Sequence, residues 1–249
     1  QLFKCIFEKV DDKNPKGYKG LSVLHLAAQE GCLNICKFIL ENVDDGKNLL
    51  DDSGCTPLYR AAHRGHLEVC KLFLSHLEGK DLGNNEGRTP LHTAALNGHL
   101  EVFKVLMDVV SDKNPRSTWR KGYTPLHNAA SNGQLKICVA IMEKISHDKN
   151  PSDNDGWTPL HCAANFGYLD VCKAVMGNIL DKNTINNEGK TPLHCAAEGG
   201  HLEICTYIMD HLQNKNPKDN HDWTPLHCAA NEGHLDVYNA MTKIVDDKD

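Results

Sequence analysis

Cysteine and histidine are the residue types in this sequence with the most chemistry to offer, because the chain contains 11 cysteines and 15 histidines. Three adjacent pairs combine the two types, namely His161-Cys162, His194-Cys195 and His227-Cys228. Thiolates and imidazoles are common zinc ligands, but they must converge to about 2.0–2.3 Å from one ion. Successive pairs are a whole repeat apart, and neighbouring residues of one helix point in different directions. The spacing therefore predicts no metal site.

Many of the cysteines fall at one position of a repeating pattern. The cysteines at that position are Cys36, Cys70, Cys138, Cys172 and Cys205. Phe103 and Tyr238 occupy it in the other two copies, so we interpret it as a packing position, where Cys behaves as a small hydrophobe. Equivalent residues of packed helices lie about 8–10 Å apart, which is beyond disulfide reach. We therefore predict reduced thiols throughout the chain.

The pattern that positions these residues is a repeat of 33 to 35 residues. Its clearest copy begins at Thr191-Pro192-Leu193-His194 and continues through Ala196-Ala197 to Gly200. The leucine of this segment recurs as Leu24, Leu58, Leu91, Leu126, Leu160, Leu193 and Leu226. Self-similarity at such a period predicts an array of stacked structural units, each of which contacts its neighbours.

Each unit is predicted to begin with a short helix. Thr191 can cap this helix with its hydroxyl, and Pro192 suits the first helical position because its missing N–H would be unsatisfied there anyway. Leu193, Ala196 and Ala197 form one narrow apolar face, whose small side chains allow close packing. Gly200 ends the helix, because glycine adopts a left-handed conformation without strain.

A second helix is predicted to follow and to run back antiparallel to the first. Apolar residues at helical spacing continue until a Lys-Asn-Pro segment stops them. We expect such helices over residues 2–10, 100–110, 134–146 and 201–212. The polar residues between that stop and the next Thr-Pro are too few for a helix, so they predict a hairpin-like loop.

The unit resembles the ankyrin repeat, whose signature is Thr-Pro-Leu-His-x-Ala and whose two antiparallel helices follow a β-turn. The resemblance covers essentially all of the chain and implies an all-α fold, an ankyrin-repeat solenoid of stacked antiparallel helix pairs joined by β-hairpin-like loops. It also implies that each repeated histidine bonds the backbone of the turn before its helix. The second helices depart from the usual pattern, and we expect them to be longer than is typical. A single domain is expected over 1–249, divided into a half-repeat 1–17 and repeats 18–51, 52–84, 85–119, 120–153, 154–186, 187–219 and 220–249.

Composition excludes several functional classes. The net charge of −6 gives no basic face for nucleic acid, and no apolar run or signal-peptide pattern indicates a membrane span or secretion. We therefore expect a cytoplasmic chain whose segment makes no membrane contact. No Gly-rich phosphate loop, His-Glu-x-x-His or Gly-x-Ser-x-Gly motif occurs, so we expect neither an enzyme nor a cofactor. Neither end carries a polar capping repeat, so we expect a segment of a longer protein.

A scaffold for protein–protein interaction is the function that the resemblance implies, with a partner on the concave surface formed by the hairpins and first helices. Two alternatives stay open at this point. The chain could be the cytoplasmic ankyrin segment of a larger membrane channel, or the targeting module of an enzyme encoded elsewhere in the full chain. The flanking sequence would discriminate among the three. We expect a protein partner of unknown identity and a monomeric chain.

Residues that are not repeated are the ones that can specify a partner, and binding hot spots are enriched in aromatic residues and arginine. The candidate partner-binding residues are Arg88, Trp119, Arg120, Lys121, Tyr123, Trp157, Phe166 and Trp223. Among them, Tyr123, Trp157 and Phe166 with Arg88, Arg120 and Lys121 predict an aromatic patch with a basic edge that binds an acidic or apolar segment across repeats 3 to 5. The alternative is that single exposed aromatics are ordinary and that Trp157 and Trp223 merely cover the neighbouring loop.

Overall fold

A computed structural model of the chain describes residues 14–43, 49–76, 79, 82–118, 122–146 and 148–246. The chain divides into two compact units, Gln1–Trp119 and Arg120–Asp249. Across the described residues the structure has fourteen α-helices in seven pairs, and the only bridge of strand type there is an isolated one between Lys16 and Ser22. The all-α prediction is confirmed. None of the described helices is both long enough and apolar enough to cross a membrane.

The first unit contains three helix pairs, preceded by a short 3-10 helix at Tyr18–Gly20. The pairs are α1 (Val23–Gln29) with α2 (Leu33–Asn42), α3 (Pro57–Arg64) with α4 (Leu67–His76), and α5 (Pro90–Leu96) with α6 (Leu100–Val109). First helices pack on first helices, α1 on α3 and α3 on α5, while α2 packs on α4 and α4 on α6. The unit therefore has one layer of first helices and one of second helices, stacked in sequence order.

The second unit contains four pairs with the same organisation. They are α7 (Pro125–Ser131) with α8 (Leu135–Lys144), α9 (Pro159–Asn165) with α10 (Leu169–Met176), α11 (Pro192–Glu198) with α12 (Leu202–Asp210), and α13 (Pro225–Asn231) with α14 (Leu235–Asp246). The first helices α7, α9, α11 and α13 pack in that order, and so do the second helices. Each connection within a pair is only a few residues long, which keeps the two helices antiparallel.

The first helices begin and end as the sequence predicts. In α9 the backbone N–H of His161 donates to Oγ1 of Thr158 (3.4 Å), and Pro159 is the first helical residue. Gly200 follows α11 with φ +72°, which confirms the predicted left-handed stop. A side chain there would also collide with the next repeat, since its Cβ would lie 2.6 Å from Nδ1 of His234. This glycine is therefore required for both its backbone conformation and its close contact.

The core lies between the two helix layers. Leu160, Ala163 and Ala164 of α9 are completely buried, as is Cys172 of α10. Phe103 is also completely buried at the position that cysteine occupies in five other repeats. This burial confirms that the position serves packing in six of the seven repeats, whereas Tyr238, at the same position of the last repeat, is 38% exposed.

The second helices do not extend as far as predicted. They cover Leu100–Val109, Leu135–Lys144 and Leu202–Asp210, in place of 100–110, 134–146 and 201–212, and the predicted helix over 2–10 lies outside the described residues. Val110 and Ile145 have extended backbone conformations, although their N–H groups still donate to Leu106 and Ile141. The apolar residues that suggested a longer helix instead begin the following loop, and the side chain of Val110 anchors that loop because it is buried.

The Lys-Asn-Pro segments do more than stop a helix. The side-chain oxygen of Asn150 accepts a hydrogen bond from the backbone N–H of Leu160 (3.1 Å), and Asn14 does the same for Leu24 (2.9 Å). The first N–H groups of a helix have no partner within that helix. These asparagines therefore satisfy one such group in the next repeat and fix the loop to its first helix.

Candidate partner-binding surface

A repeated histidine holds each hairpin in place. The backbone N–H of Thr158 donates to Nδ1 of His161 (3.3 Å). Because Nδ1 is an acceptor, the ring proton of the neutral imidazole lies on Nε2. Nε2 donates in turn to the carbonyl oxygen of Lys190 in the following hairpin (3.0 Å). The predicted bond to the preceding turn is present, and the bond into the next repeat is a contact that sequence reasoning missed.

The same inter-repeat hydrogen bond recurs along the chain. It joins His25 to Cys55 (2.9 Å), His127 to Trp157 (3.0 Å) and His194 to Trp223 (3.1 Å). Each acceptor is the variable residue that follows the hairpin turn. The repeated histidine therefore fixes the backbone of the variable residue, and the side chain of that variable residue differs from one repeat to the next.

Burial favours the neutral form of three of these histidines. Burial lowers the pKa of His161 to about 4, and burial also lowers the pKa values of His25 and His194. A proton on Nδ1 would remove the acceptor that the capping N–H needs. Burial thus makes His25, His161 and His194 weaker bases than an exposed histidine, and their hydrogen bonds give them a structural role.

Asparagines tie neighbouring hairpins to each other. The backbone N–H of Asn187 donates to the carbonyl of Asp155 (3.0 Å), and its side-chain amide donates to Asn154 (2.9 Å). Asn220 makes the equivalent pair of bonds to Glu188 and Asn187, each of 3.0 Å. The hairpins of repeats 5 to 7 therefore form a fixed row, which presents their variable side chains in order.

Three of the aromatic candidates in the second unit offer surface to a partner. Phe166 at the end of α9 is 48% exposed, Trp223 is 41% exposed, and Trp157 is half-buried. Each tryptophan ring lies beside the histidine of its own repeat, with centroid distances of 5.9 Å for Trp157–His161 and 6.2 Å for Trp223–His227. These contacts limit the freedom of the rings, so little conformational entropy would be lost on binding.

The expected exposure of Tyr123 is wrong. Its side chain is only 6% exposed, because its hydroxyl contacts Sγ of Cys162 in the next repeat (3.3 Å) and its ring lies 4.9 Å from that of His127. The neighbouring repeat covers it, which its position in the hairpin could not indicate. The candidates Trp119, Arg120 and Lys121 lie outside the described residues, and Arg88 belongs to the first unit.

Lys190 and Glu198 belong to the same surface as the tryptophans, although they were not among the candidates. Nζ of Lys190 lies 3.0 Å from a carboxylate oxygen of Glu198 and 3.6 Å from one of Glu188. Burial acts to lower the pKa of Lys190, but the hydrogen bond and charge of Glu198 outweigh it and raise that pKa. The lysine charge between the two tryptophans is therefore already compensated.

In the first unit, Arg88 lines a depression of about 450 Å³ between two hairpins. The inner residues of this depression are Tyr59, Arg60, His63 and Arg88, which are buried or half-buried, and the exposed residues at its edge include Asp52 and Glu86. We call it the arginine pocket. Sequence reasoning found Arg88 but did not select Arg60 or His63. Arg60 lies within α3, at the position that cysteine occupies in the last three repeats, and His63 lies near the end of that helix.

The thiols are arranged for packing. Burial raises the pKa values of Cys36, Cys70, Cys138, Cys172 and Cys205 to about 12. Among the described residues no three His, Cys, Asp or Glu side chains are grouped so that they could hold a metal ion. A thiol must ionise to act as a nucleophile or ligand, and burial opposes that ionisation here.

Comparison with known proteins identifies the repeat. A family described as "Ankyrin repeats (3 copies)" matches the chain at residues 1–81, 24–117, 109–186 and 175–248. These matches overlap and together cover nearly the whole sequence. No curated protein matches the chain significantly.

Proposed function

Since the chain belongs to the ankyrin-repeat family, we propose that it is a non-catalytic scaffold that binds a protein partner, and that its second unit does so through Trp157, Phe166 and Trp223. Proteins of this family generally mediate protein–protein interaction. The same proposal places the chain in the cytoplasm, because so many cysteines used as buried packing residues suit a reducing compartment.

The observation that carries the proposal is the ion pair between Lys190 and Glu198. It joins the variable hairpin position to the last residue of the first helix in one repeat, so these two positions face the same surface. In the preceding repeat they are Trp157 and Asn165, and Phe166 follows Asn165 directly. The carbonyl of Asn165 is held by Nε2 of His201 (3.0 Å), which fixes the backbone beside Phe166.

The chemistry of this surface favours an apolar segment over an acidic one. Exposed aromatic rings contribute the most binding free energy when apolar groups of a partner cover them. The charge of Lys190 is compensated by Glu198 and Glu188, so it adds little attraction for an acidic segment. We therefore propose that the partner contributes an extended segment whose apolar side chains cover the aromatic rings, with its polar backbone towards the row of hairpins.

Substitution of the tryptophans tests this proposal. A partner isolated by affinity capture would be titrated against the wild-type chain and against Trp157→Ala and Trp223→Ala. We expect each substitution to weaken binding by about 2 kcal/mol or more. Because Trp157 is half-buried against His161, circular dichroism should first establish that each variant is folded at the temperature of the titration.

Tyr238→Ala provides the matched control. Tyr238 is an aromatic residue of the second-helix layer with 38% exposure, close to that of Trp223, but it lies outside the hairpin row. Its removal should leave the affinity unchanged. Equal affinities for all three variants would reject the aromatic surface as the binding site.

A further inference from the structure

We propose that the first unit carries a second binding site, in which the arginine pocket receives the carboxylate of an aspartate or glutamate side chain from a partner segment. This inference rests on the proposed function only in that the ligand is a peptide. Its residues belong to α3 and to the hairpins before α3 and α5, so it shares none of the aromatic residues of the second unit.

A buried carboxylate orients one of the two guanidinium groups. Oδ1 of Asp51 accepts the backbone N–H groups of Ser53 and Cys55 (2.8 and 2.9 Å). Its Oδ2 accepts Nε of Arg60 (2.9 Å) and also contacts Nη2. A guanidinium has five N–H donors in a planar fork, so the bonds to Asp51 fix the plane of Arg60 and leave donors for a further acceptor.

Arg60 and Arg88 line the inside of the pocket, where Arg60 is paired with buried Asp51, and the carboxylates of Asp52 and Glu86 stand at its exposed edge. Arg88 lies inside with its side chain 14% exposed, and its Nη1 is 3.8 Å from an oxygen of Glu86, whose side chain is 51% exposed. Burial is the largest cause that lowers the pKa of His63. The charges of Arg64, Arg60, Arg88 and His99 lower it further. An anion that replaced water among these groups would meet two arginines at short range.

The balance of charge selects a carboxylate over a phosphate. A carboxylate carries one negative charge and pairs with the planar fork of arginine through two parallel hydrogen bonds. A phosphate group carries about −1.5 to −2 charges at pH 7 and is repelled by neighbouring carboxylates. Asp52 and Glu86 stand at the edge of the depression, so the more highly charged group would meet more repulsion on entry.

A displayed library of random peptides provides the ligands for a test. The full chain would be immobilised and the recovered peptides aligned, with the expectation that aspartate or glutamate recurs at one position. Synthetic peptides with Glu, Gln or phosphoserine at that position would then be titrated. We expect the Glu peptide to bind roughly tenfold or more tightly than the Gln peptide and more tightly than the phosphoserine peptide. Recovery of peptides without a recurrent acidic residue would overturn the proposal, and tighter phosphoserine binding would overturn its ligand class.

Matched variants test whether the preference for the Glu peptide over the Gln peptide arises in the arginine pocket. Arg88→Gln should abolish the advantage of Glu over Gln, whereas Arg64→Gln, at an exposed position of α3 outside the depression, should retain it. Glu86→Gln should tighten binding of the Glu peptide, because a competing carboxylate is removed. A Glu preference that persisted in Arg88→Gln would reject this site. Trp157→Ala should leave the preference unchanged, which separates a failure here from a failure of the aromatic surface.

Discussion

At the scale of the residue, the last hairpin places an aspartate where other hairpins place glycine. Asp222 has φ +62°, and the equivalent Gly156 and Gly189 have φ +80° and +79°. A left-handed backbone costs a residue with a side chain roughly 1–2 kcal/mol, and the exposed ion pair with Lys218 (3.0 Å) offsets little of it. We predict that Asp222→Gly raises the free energy of unfolding by about 0.5–1 kcal/mol, measured by urea denaturation.

The reciprocal change should act in the opposite direction and more strongly. In Gly189→Asp the new Cβ would lie 2.4 Å from Oδ1 of Asn220 in the next hairpin, so steric overlap adds to backbone strain. A decrease in stability for Asp222→Gly would contradict the assignment of strain to this residue.

Exposure of individual side chains was the least predictable property. Tyr123, Trp157 and Trp223 occupy the same position in their repeats, yet Tyr123 is buried, Trp157 is half-buried and Trp223 is exposed. The difference arises from contacts with the adjacent repeat, such as the one between Tyr123 and Cys162. A pattern read within one repeat contains no information about such contacts.

At the scale of the element, His161 joins the start of α9 to the hairpin that precedes α11. Its pKa is about 4 in the folded protein and 6.5 in the unfolded chain, so the unfolded chain takes up a proton first as the pH falls. The associated stability is fully present above pH 6.5 and is lost as the pH falls towards 4. We predict a loss of about 3 kcal/mol from this residue, measured as the free energy of unfolding at several pH values.

The variant His161→Gln isolates this contribution from that of the carboxylates. Glutamine at the third helical position can still complete a capping box, but it does not titrate. The loss of stability between pH 6.5 and 4 should be smaller in the variant than in the wild-type chain. Identical pH profiles would show that His161 does not couple folding to protonation.

Local capping and helical period were sufficient to predict the first helices, because Thr158 and Pro159 act within their own helix. The ends of the second helices were not predictable in the same way. Val110 continues the apolar pattern, but it does so to bury a loop and not to lengthen a helix. The hydrogen bonds of Asn150 and His161 to later segments likewise depend on chain geometry beyond the local pattern.

At the scale of the whole molecule, repetition separates residues that hold the structure from residues that can choose a partner. Repeated histidines, glycines and alanines pack or form hydrogen bonds in the same way in successive repeats. The residues at the variable hairpin positions differ in size, charge and exposure. The aromatic surface of the second unit and the arginine pocket of the first each combine residues at these hairpin positions with residues in or directly after a first helix. The expectation of a single domain over 1–249 stays a prediction.

Hydroxyl-radical footprinting of the chain with and without its captured partner tests this division most directly, because it reports the solvent access of individual aromatic side chains. The account predicts that bound partner slows oxidation of Phe166 and Trp223, and of Trp157 to a smaller extent because it is half-buried already. Oxidation of Tyr207 and Tyr238, on the second helices α12 and α14, should be unchanged. Protection confined to Tyr207 and Tyr238, with the hairpin tryptophans and Phe166 unaffected, would contradict the account.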